Sequence, residues 1–192
     1  MENFVCRIAK VNKSINVDGF AVIEKILKTC QEMLTDRGFT KIVTSQNLAS
    51  DILNSKYIMR GTGEGLKTTD VFMCTEDKAG VKFVRSILED NNFVICISVE
   101  GPTPFTKKEA DETRIQFMSC SRLCTNVTKH QLVPKHTKVE TCSYDKEKLP
   151  KILITDPIVQ YYNWPIGTVV HTKRVLAGHE PIDYFRVVSG SS

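Results

Sequence analysis

The chain has 192 residues, 41% of them hydrophobic, enough for one large domain or two small ones built around packed cores. Its 26 Lys and Arg against 22 Asp and Glu leave a net charge of +4, too weak to hold nucleic acid through the surface as a whole, so any nucleic-acid role must be local. No apolar run approaches the roughly 18 residues of a membrane span and no basic-then-apolar leader opens the chain, so a soluble, non-secreted protein without a membrane partner is expected.

In chain order, Phe20, Ile23, Ile26, Leu27, Cys30 and Leu34 recur at helical spacing from Asp18 onward, with Gly38 as a stop, and predict an amphipathic helix. A second short helix is expected from Ser45. "GTGEGLKTT", 61 to 69, has the look of a phosphate loop. It misses the P-loop because Leu66 separates Gly65 from Lys67, and it misses the dinucleotide fingerprint because its third glycine comes one residue early, so it reads as a flexible connection. "TDVFMCT" reads as a strand and "VKFVRSILEDNN" as a helix. "FVICISV", 93 to 99, has the continuous apolar character of a strand buried on both faces. Alternation of helices and strands over roughly the first 125 residues predicts a small α/β layer domain.

The grammar then changes to short apolar bursts punctuated by Pro and Gly, with only "DPIVQYY" fit for a brief helix, capped by Asp156 with Pro157 in its first turn. The predicted division is 1–126 and 127–192, an α+β chain with an α/β N-terminal domain and a small, mixed, β-rich C-terminal domain. Much of the basic excess lies in the second part, which holds nine Lys and Arg against six Asp and Glu.

Cysteines 6, 30, 74, 96, 120, 124 and 142 are odd in number, lie among apolar residues and include no C-x-x-C pair, as expected of reduced thiols in an intracellular protein. Cys120 and Cys124 with His130 and His136 do not make a zinc finger, because the interval between the second Cys and the first His is far short of the usual twelve or so. Asp70, Glu76 and Lys78 are the residue types of a metal-dependent nuclease. Their spacing, though, leaves room only for a turn, and Asp77-Lys78-Ala79-Gly80 itself reads as one. No Ser or Cys has a nucleophile signature, and His171 lies in an alternating strand as a surface or packing residue. The expectation is a non-enzymatic protein with no catalytic residue, cofactor, metal or small-molecule substrate. A small metal-dependent nuclease or a stand-alone DNA-binding factor is the alternative.

"EGPTPFTKKEADE", 100 to 112, carries a better phosphate argument. Thr106 followed by Glu109 predicts a capping box with a helix starting at Lys107, so that Lys107 and Lys108 flank free N–H groups as a phosphate-backbone clamp. Simple solvation of both lysines is the competing reading.

The C-terminal third resembles a known family. "HQLVPKH" at 130 to 136 shares an L-V-P-x-H string (Leu132, Val133, Pro134, His136), and "LPKILITDPIVQYYNWPIGTVVHTKRV" at 149 to 175 shares L-P-[KR]-I (Leu149, Pro150, Ile152). A D-P helix ending in tyrosine follows (Asp156, Pro157, Tyr161), then a Gly before a V-V strand (Gly167, Val169, Val170) and Arg174. The Ala177-Gly178 turn and a last strand with Tyr184 and Arg186 complete the set. This resembles the fifth common subunit of eukaryote-type DNA-directed RNA polymerases, whose archaeal counterpart is the H subunit. More loosely, "GVKFVRSILEDNNFVICISVEGPTPFTKKEA" resembles that family's jaw domain, a nuclease-like fold without catalytic acids, in which a Thr-Pro-Ser-Ala motif faces downstream DNA. Thr103 and Pro104 match the motif; Phe105 and Thr106 depart from it.

The resemblance implies a non-catalytic polymerase subunit active in transcription. Its C-terminal domain would dock on the largest subunit beside the other core subunits, and its jaw domain would meet downstream duplex DNA. It implies a DNA-contacting loop of Thr103, Pro104, Phe105, Thr106, Lys107 and Lys108, and an assembly interface of Pro134, His136, Tyr161, Tyr162, Trp164, Arg174 and Arg186. Trp164 alternatively plugs its own domain's core. The family usually carries a longer helix between the equivalents of His136 and Leu149, and this trimming suits a copy encoded by a large DNA virus. Viral factory and virion would then be the location, against the nucleus for a cellular copy.

Overall fold

Helix α1 (Gly19–Asp36) forms where the apolar spacing predicts it, burying Val22, Ile23, Ile26, Cys30, Met33 and Leu34 along one stripe. It ends because Gly38 takes φ +96°, which lets Gly38 N–H reach the Thr35 carbonyl at 2.9 Å and Phe39 N–H reach that of Leu34 at 3.1 Å. That pair of bonds is a Schellman cap. The computed structural model describes residues 19–88, 92–110, 114–140, 145–174 and 180–190. Cys6, Cys142, Asp111, Glu112 and the Ala177-Gly178 turn of the sequence reading lie outside the described residues.

The chain divides into two compact units, one ending at Thr125 and one beginning at Asn126. In the first, β1 (Lys41–Thr44), β2 (Met59–Thr62), β3 (Thr69–Met73), β5 (Phe93–Ser98) and β7 (Ile115–Ser119) form a sheet in the order β1-β2-β3-β5-β7. The β1-β2-β3 half is antiparallel and the β3-β5-β7 half parallel. Parallel neighbours need crossovers, which are supplied by α3 (Val81–Ile87) and α4 (Pro104–Glu109). Phe72, Val94 and Cys96 pack with Val84 and Ile87 of α3, while the alternate positions Val71, Met73, Ile95 and Ile97 are buried as well. Both faces of β3 and β5 are therefore covered, which accounts for the unbroken apolar run in β5. Helices α2 (Leu48–Leu53) and α5 (Cys120–Leu123) complete this unit; α2 begins three residues after Ser45, whose hydroxyl bonds Asp51.

Two sequence readings are corrected here. β1 and β2 carry too little alternation to announce themselves, so "GTGEGLKTT" is read as a connection, whereas Gly61 and Thr62 belong to β2 and only 63 to 68 form the turn to β3. Gly61 lies close under the Phe39 ring, where a Cβ would sit 3.1 Å away and the ring would have to shift by a few tenths of an ångström to admit it. Lys78–Ala79 is not part of a turn but a short strand, β4, parallel to β6 (Gly101–Pro102).

In the second unit β8 (His136–Val139), β10 (Val169–Arg174), β11 (Ile182–Ser189) and β9 (Lys151–Leu153) form a sheet in the order β8-β10-β11-β9. Only the β11-β9 pair is parallel. Ile152, Val159, Val170 and Val188 make its core. Helix α6 (Pro157–Tyr162) starts as expected: Asp156 Oδ1 accepts from Ile158 N–H at 2.8 Å, and Pro157 takes the first position, where its missing N–H costs nothing. The whole is a mixed α+β architecture with several sheets.

Candidate functional site

The lysine-bearing helix α4 starts earlier than the capping-box pattern predicts. Thr103, in extended conformation, accepts from Thr106 N–H at 3.3 Å through its hydroxyl, and Pro104 sits at the first helical position. Thr106 is no cap: it is 1% exposed and its hydroxyl donates to the Ala79 carbonyl at 3.0 Å, pinning α4 to β4. Glu109 does not reach back either, but pairs with Arg85 at 2.9 Å. The competition is local. Proline at 104 is preorganised for a first turn, and Thr106 gains a buried partner by entering the helix, so Thr103 takes the cap.

This reverses the electrostatics expected of Lys107 and Lys108. Both lie in the last turn, where ammonium groups favour the negative end of the helix dipole, and Lys107 N–H is already bonded to the Thr103 carbonyl at 2.9 Å. The expected clamp of free N–H groups beside two lysines is therefore not built. The loop instead presents Pro104, Phe105, Lys107 and Lys108 outward, with Phe105 76% exposed, over a backbone fixed by Thr103 and Thr106.

The nuclease-type residues have other employment. Asp70 is 1% exposed and lies opposite Arg60 in the β2-β3 register, accepting from Arg60 Nη2 at 2.8 Å and from Asn92 Nδ2 at 2.7 Å. Lys78 pairs with Glu100 at 3.3 Å. Among the described residues no three His, Cys, Asp or Glu side chains gather where they could share a metal ion. Burial pushes the thiols of Cys30 and Cys120 up to about 12, so they stay protonated and non-nucleophilic at neutral pH.

The expected assembly residues of the second unit fall into two groups. Tyr161 is 2% exposed, with its hydroxyl accepting from Asn126 Nδ2 at 3.2 Å, and Trp164 packs on the Ile152, Val159, Val170 and Val188 core. Tyr162 stacks on Trp164 with centroids 4.6 Å apart and planes 9° apart. The Tyr-Tyr-Asn-Trp run is therefore not an exposed aromatic patch; Asn163, in left-handed conformation at φ 54°, ends α6 and folds Trp164 back onto the core. Tyr161 in particular has no surface to offer a partner.

Pro134, His136, Arg174 and Arg186, by contrast, converge on one groove of about 270 Å³. Distance in sequence hides this: β8 and β11 flank β10, which sets His136 opposite Thr172 and Arg186 opposite Val170. His136 Nδ1 donates to the Pro134 carbonyl at 2.7 Å, which fixes the tautomer. Burial holds the imidazole below its usual pKa, against the raising effects of that bond and of Asp156, with Arg186 and Arg174 adding to the lowering. Leu132, Asp156 and Ile158 also line the groove and were not expected there as site residues. The signal that could have found Leu132 is the L-V-P-x-H string itself, which keeps an apolar residue two before proline in a segment with no strand or helix to bury it.

The family model for the C-terminal domain of RNA polymerase Rpb5 matches residues 125–188, which span this groove. A Dictyostelium discoideum protein, subunit rpabc1 of DNA-directed RNA polymerases I, II and III, is 30% identical over 177 residues, covering 78% of this chain and 88% of its own length. The chain belongs to the RNA polymerase Rpb5 family. A second Rpb5-type relative, the Arabidopsis thaliana DNA-directed RNA polymerase subunit 5-like protein 1, is 25% identical over 201 residues, 88% of this chain and 95% of that one. Subunit RPABC1 of Caenorhabditis elegans is 29% identical over 122 residues, 54% of this chain and 58% of its own. Rpb5 membership thus rests on both units, because the first two matches are longer than the second unit alone.

Proposed function

We propose that this Rpb5-family chain, a non-catalytic subunit of a multi-subunit DNA-directed RNA polymerase, docks on the largest subunit through its second unit and lends its first unit to the jaw around downstream duplex DNA. The observation that carries the docking half is the convergence of Pro134, His136, Arg174 and Arg186 on one groove, inside the segment that matches the family model. Arginines beside an apolar floor are the composition of a protein-binding patch. The jaw half is supported by the outward set Phe105, Lys107 and Lys108 on a backbone anchored through Thr106. A pair of exposed lysines gives a weak, sequence-independent hold on a phosphate backbone, fitting a surface that guides DNA without reading it.

The short segment between His136 and Leu149 favours a copy encoded by a large DNA virus, working in the viral factory and packaged in the virion. Affinity purification of the tagged full chain from its source, with quantitative mass spectrometry, tests the assignment. The largest polymerase subunit is expected at one-to-one stoichiometry, and recovery of the chain alone would overturn the docking reading.

A further inference from the structure

Taking the second unit as the docking part, we propose that the groove beside Leu132 and His136 receives an extended segment of a partner polymerase subunit in which an apolar side chain lies next to a carboxylate. The apolar side of the groove begins with Leu132. It is 84% exposed yet held in a defined place, its N–H bonded to His130 Nδ1 at 3.2 Å and the next N–H, of Val133, bonded to the His130 carbonyl at 2.9 Å. A leucine exposed singly is ordinary, but this one lines a groove with further apolar residues and so extends a contiguous apolar surface. Behind it the groove is walled by Val133, Pro134 and Pro157 and floored by the buried Ile152 and Ile158. At about 270 Å³ it falls below the ~300–1,000 Å³ usual for small-molecule sites and suits one or two inserted side chains.

The carboxylate half comes from charge. Arg174 and Arg186 both line the groove, and neither makes an ion pair with an acidic side chain among the described residues. Arg174 lies over the Tyr184 ring at 5.3 Å, which orients a guanidinium without neutralising it. Asp156, the groove's one acid, accepts from Ile158 N–H as the cap of α6 and keeps its charge, so two guanidiniums against one carboxylate leave the lining with one positive charge in excess. An excess cation over an apolar floor calls for an anion that arrives attached to something hydrophobic. A phosphate backbone supplies the anion but gains nothing from Leu132, Ile152 or Ile158, so a peptide fits where nucleic acid does not. The planar guanidinium fork fits a carboxylate in two-point contact.

The test uses the full chain assembled in its polymerase, with a photoreactive benzoylphenylalanine in place of Leu132. Irradiation is expected to join it to a polymerase subunit, and the mapped peptide to hold an Asp or Glu beside an apolar residue. Reversing both cations, Arg174→Glu with Arg186→Glu, should lower retention of the chain in the complex through a salt wash by about tenfold or more, and changing the mapped acid to Lys should restore it. Arg174→Gln with Arg186→Gln, which keeps size and removes charge, should lower retention less, and serves if the reversed chain does not fold. Cross-linking to nucleic acid or to a segment without an acid would overturn the proposal, as would full retention of a charge-altered chain with an unchanged melting temperature. A wild-type chain that never co-purifies with a polymerase would instead refute the docking reading beneath it.

Discussion

Arg60 and Asp70 face each other across the β2-β3 ladder with unequal access to water: the Asp70 side chain is 1% exposed and that of Arg60 31%. Removing either partner should therefore have unequal effects. Arg60→Ala leaves a buried carboxylate with only the Asn92 amide among its described partners, and should cost about 3–5 kcal/mol. Asp70→Ala leaves a guanidinium that can hydrate and keeps its place 4.1 Å over the Tyr57 ring, so the loss should be smaller. Urea denaturation of the full chain, following the transition of the first unit, measures both. An Asp70 variant more damaging than the Arg60 variant would contradict this assignment.

For Lys107 and Lys108, placement in the last turn of α4 sets both sign and size. Replacing both with Ala should change the stability of the free chain by no more than about 0.5 kcal/mol, with no gain, because the lysines do not oppose the helix dipole. In the assembled polymerase, the slope of log DNA affinity against log salt should fall by at most about 2, independently of sequence. An unchanged slope at normal subunit occupancy would assign these lysines to solvent.

Tyr161 and Trp164 should behave as core rather than contact residues. Tyr161→Ala empties a buried site and should cost the second unit about 3–5 kcal/mol, while Tyr161→Phe, which keeps the ring and loses the bond from Asn126, should cost less, about 1 kcal/mol. Trp164→Ala should also lower the melting temperature, through lost packing on Ile152, Val159, Val170 and Val188. Calorimetry decides the matter: a Tyr161→Ala chain that melts normally but fails to assemble would return the residue to an interface.

His136 should make the second unit sensitive to mild acid. Its folded pKa lies below the ordinary histidine value of about 6.5 because burial penalises the imidazolium. The unfolded state therefore takes up the proton first as pH falls, and stability is lost from about pH 6.5 downward until the folded pKa is passed. Above that window the contribution is fully present. His136→Asn should flatten the stability profile between about pH 7 and 5, a range in which ordinary carboxylates stay ionised. An equally steep profile in the variant would place the sensitivity elsewhere.

The amino-acid sequence by itself determined the elements whose signal is local. Helix α1 follows from apolar spacing and Gly38, β5 from an unbroken apolar run, α6 from Asp156 and Pro157, and the family from strings such as L-V-P-x-H, since periodicity, capping and short motifs are written in neighbouring residues. Only the tertiary structure decided which partner each polar group takes. Thr106 leaves its capping role because Ala79, distant in the chain, offers a buried carbonyl, and this moves Lys107 and Lys108 to the other end of their helix. Asp70 becomes structural because strand register sets it opposite Arg60, and Tyr161 becomes core because Asn126 meets its hydroxyl. Pro134, His136, Arg174 and Arg186 become one groove because β10 pairs with both β8 and β11. Pairing across a sheet is a non-local choice settled by burial and register, and no window along the chain contains both partners.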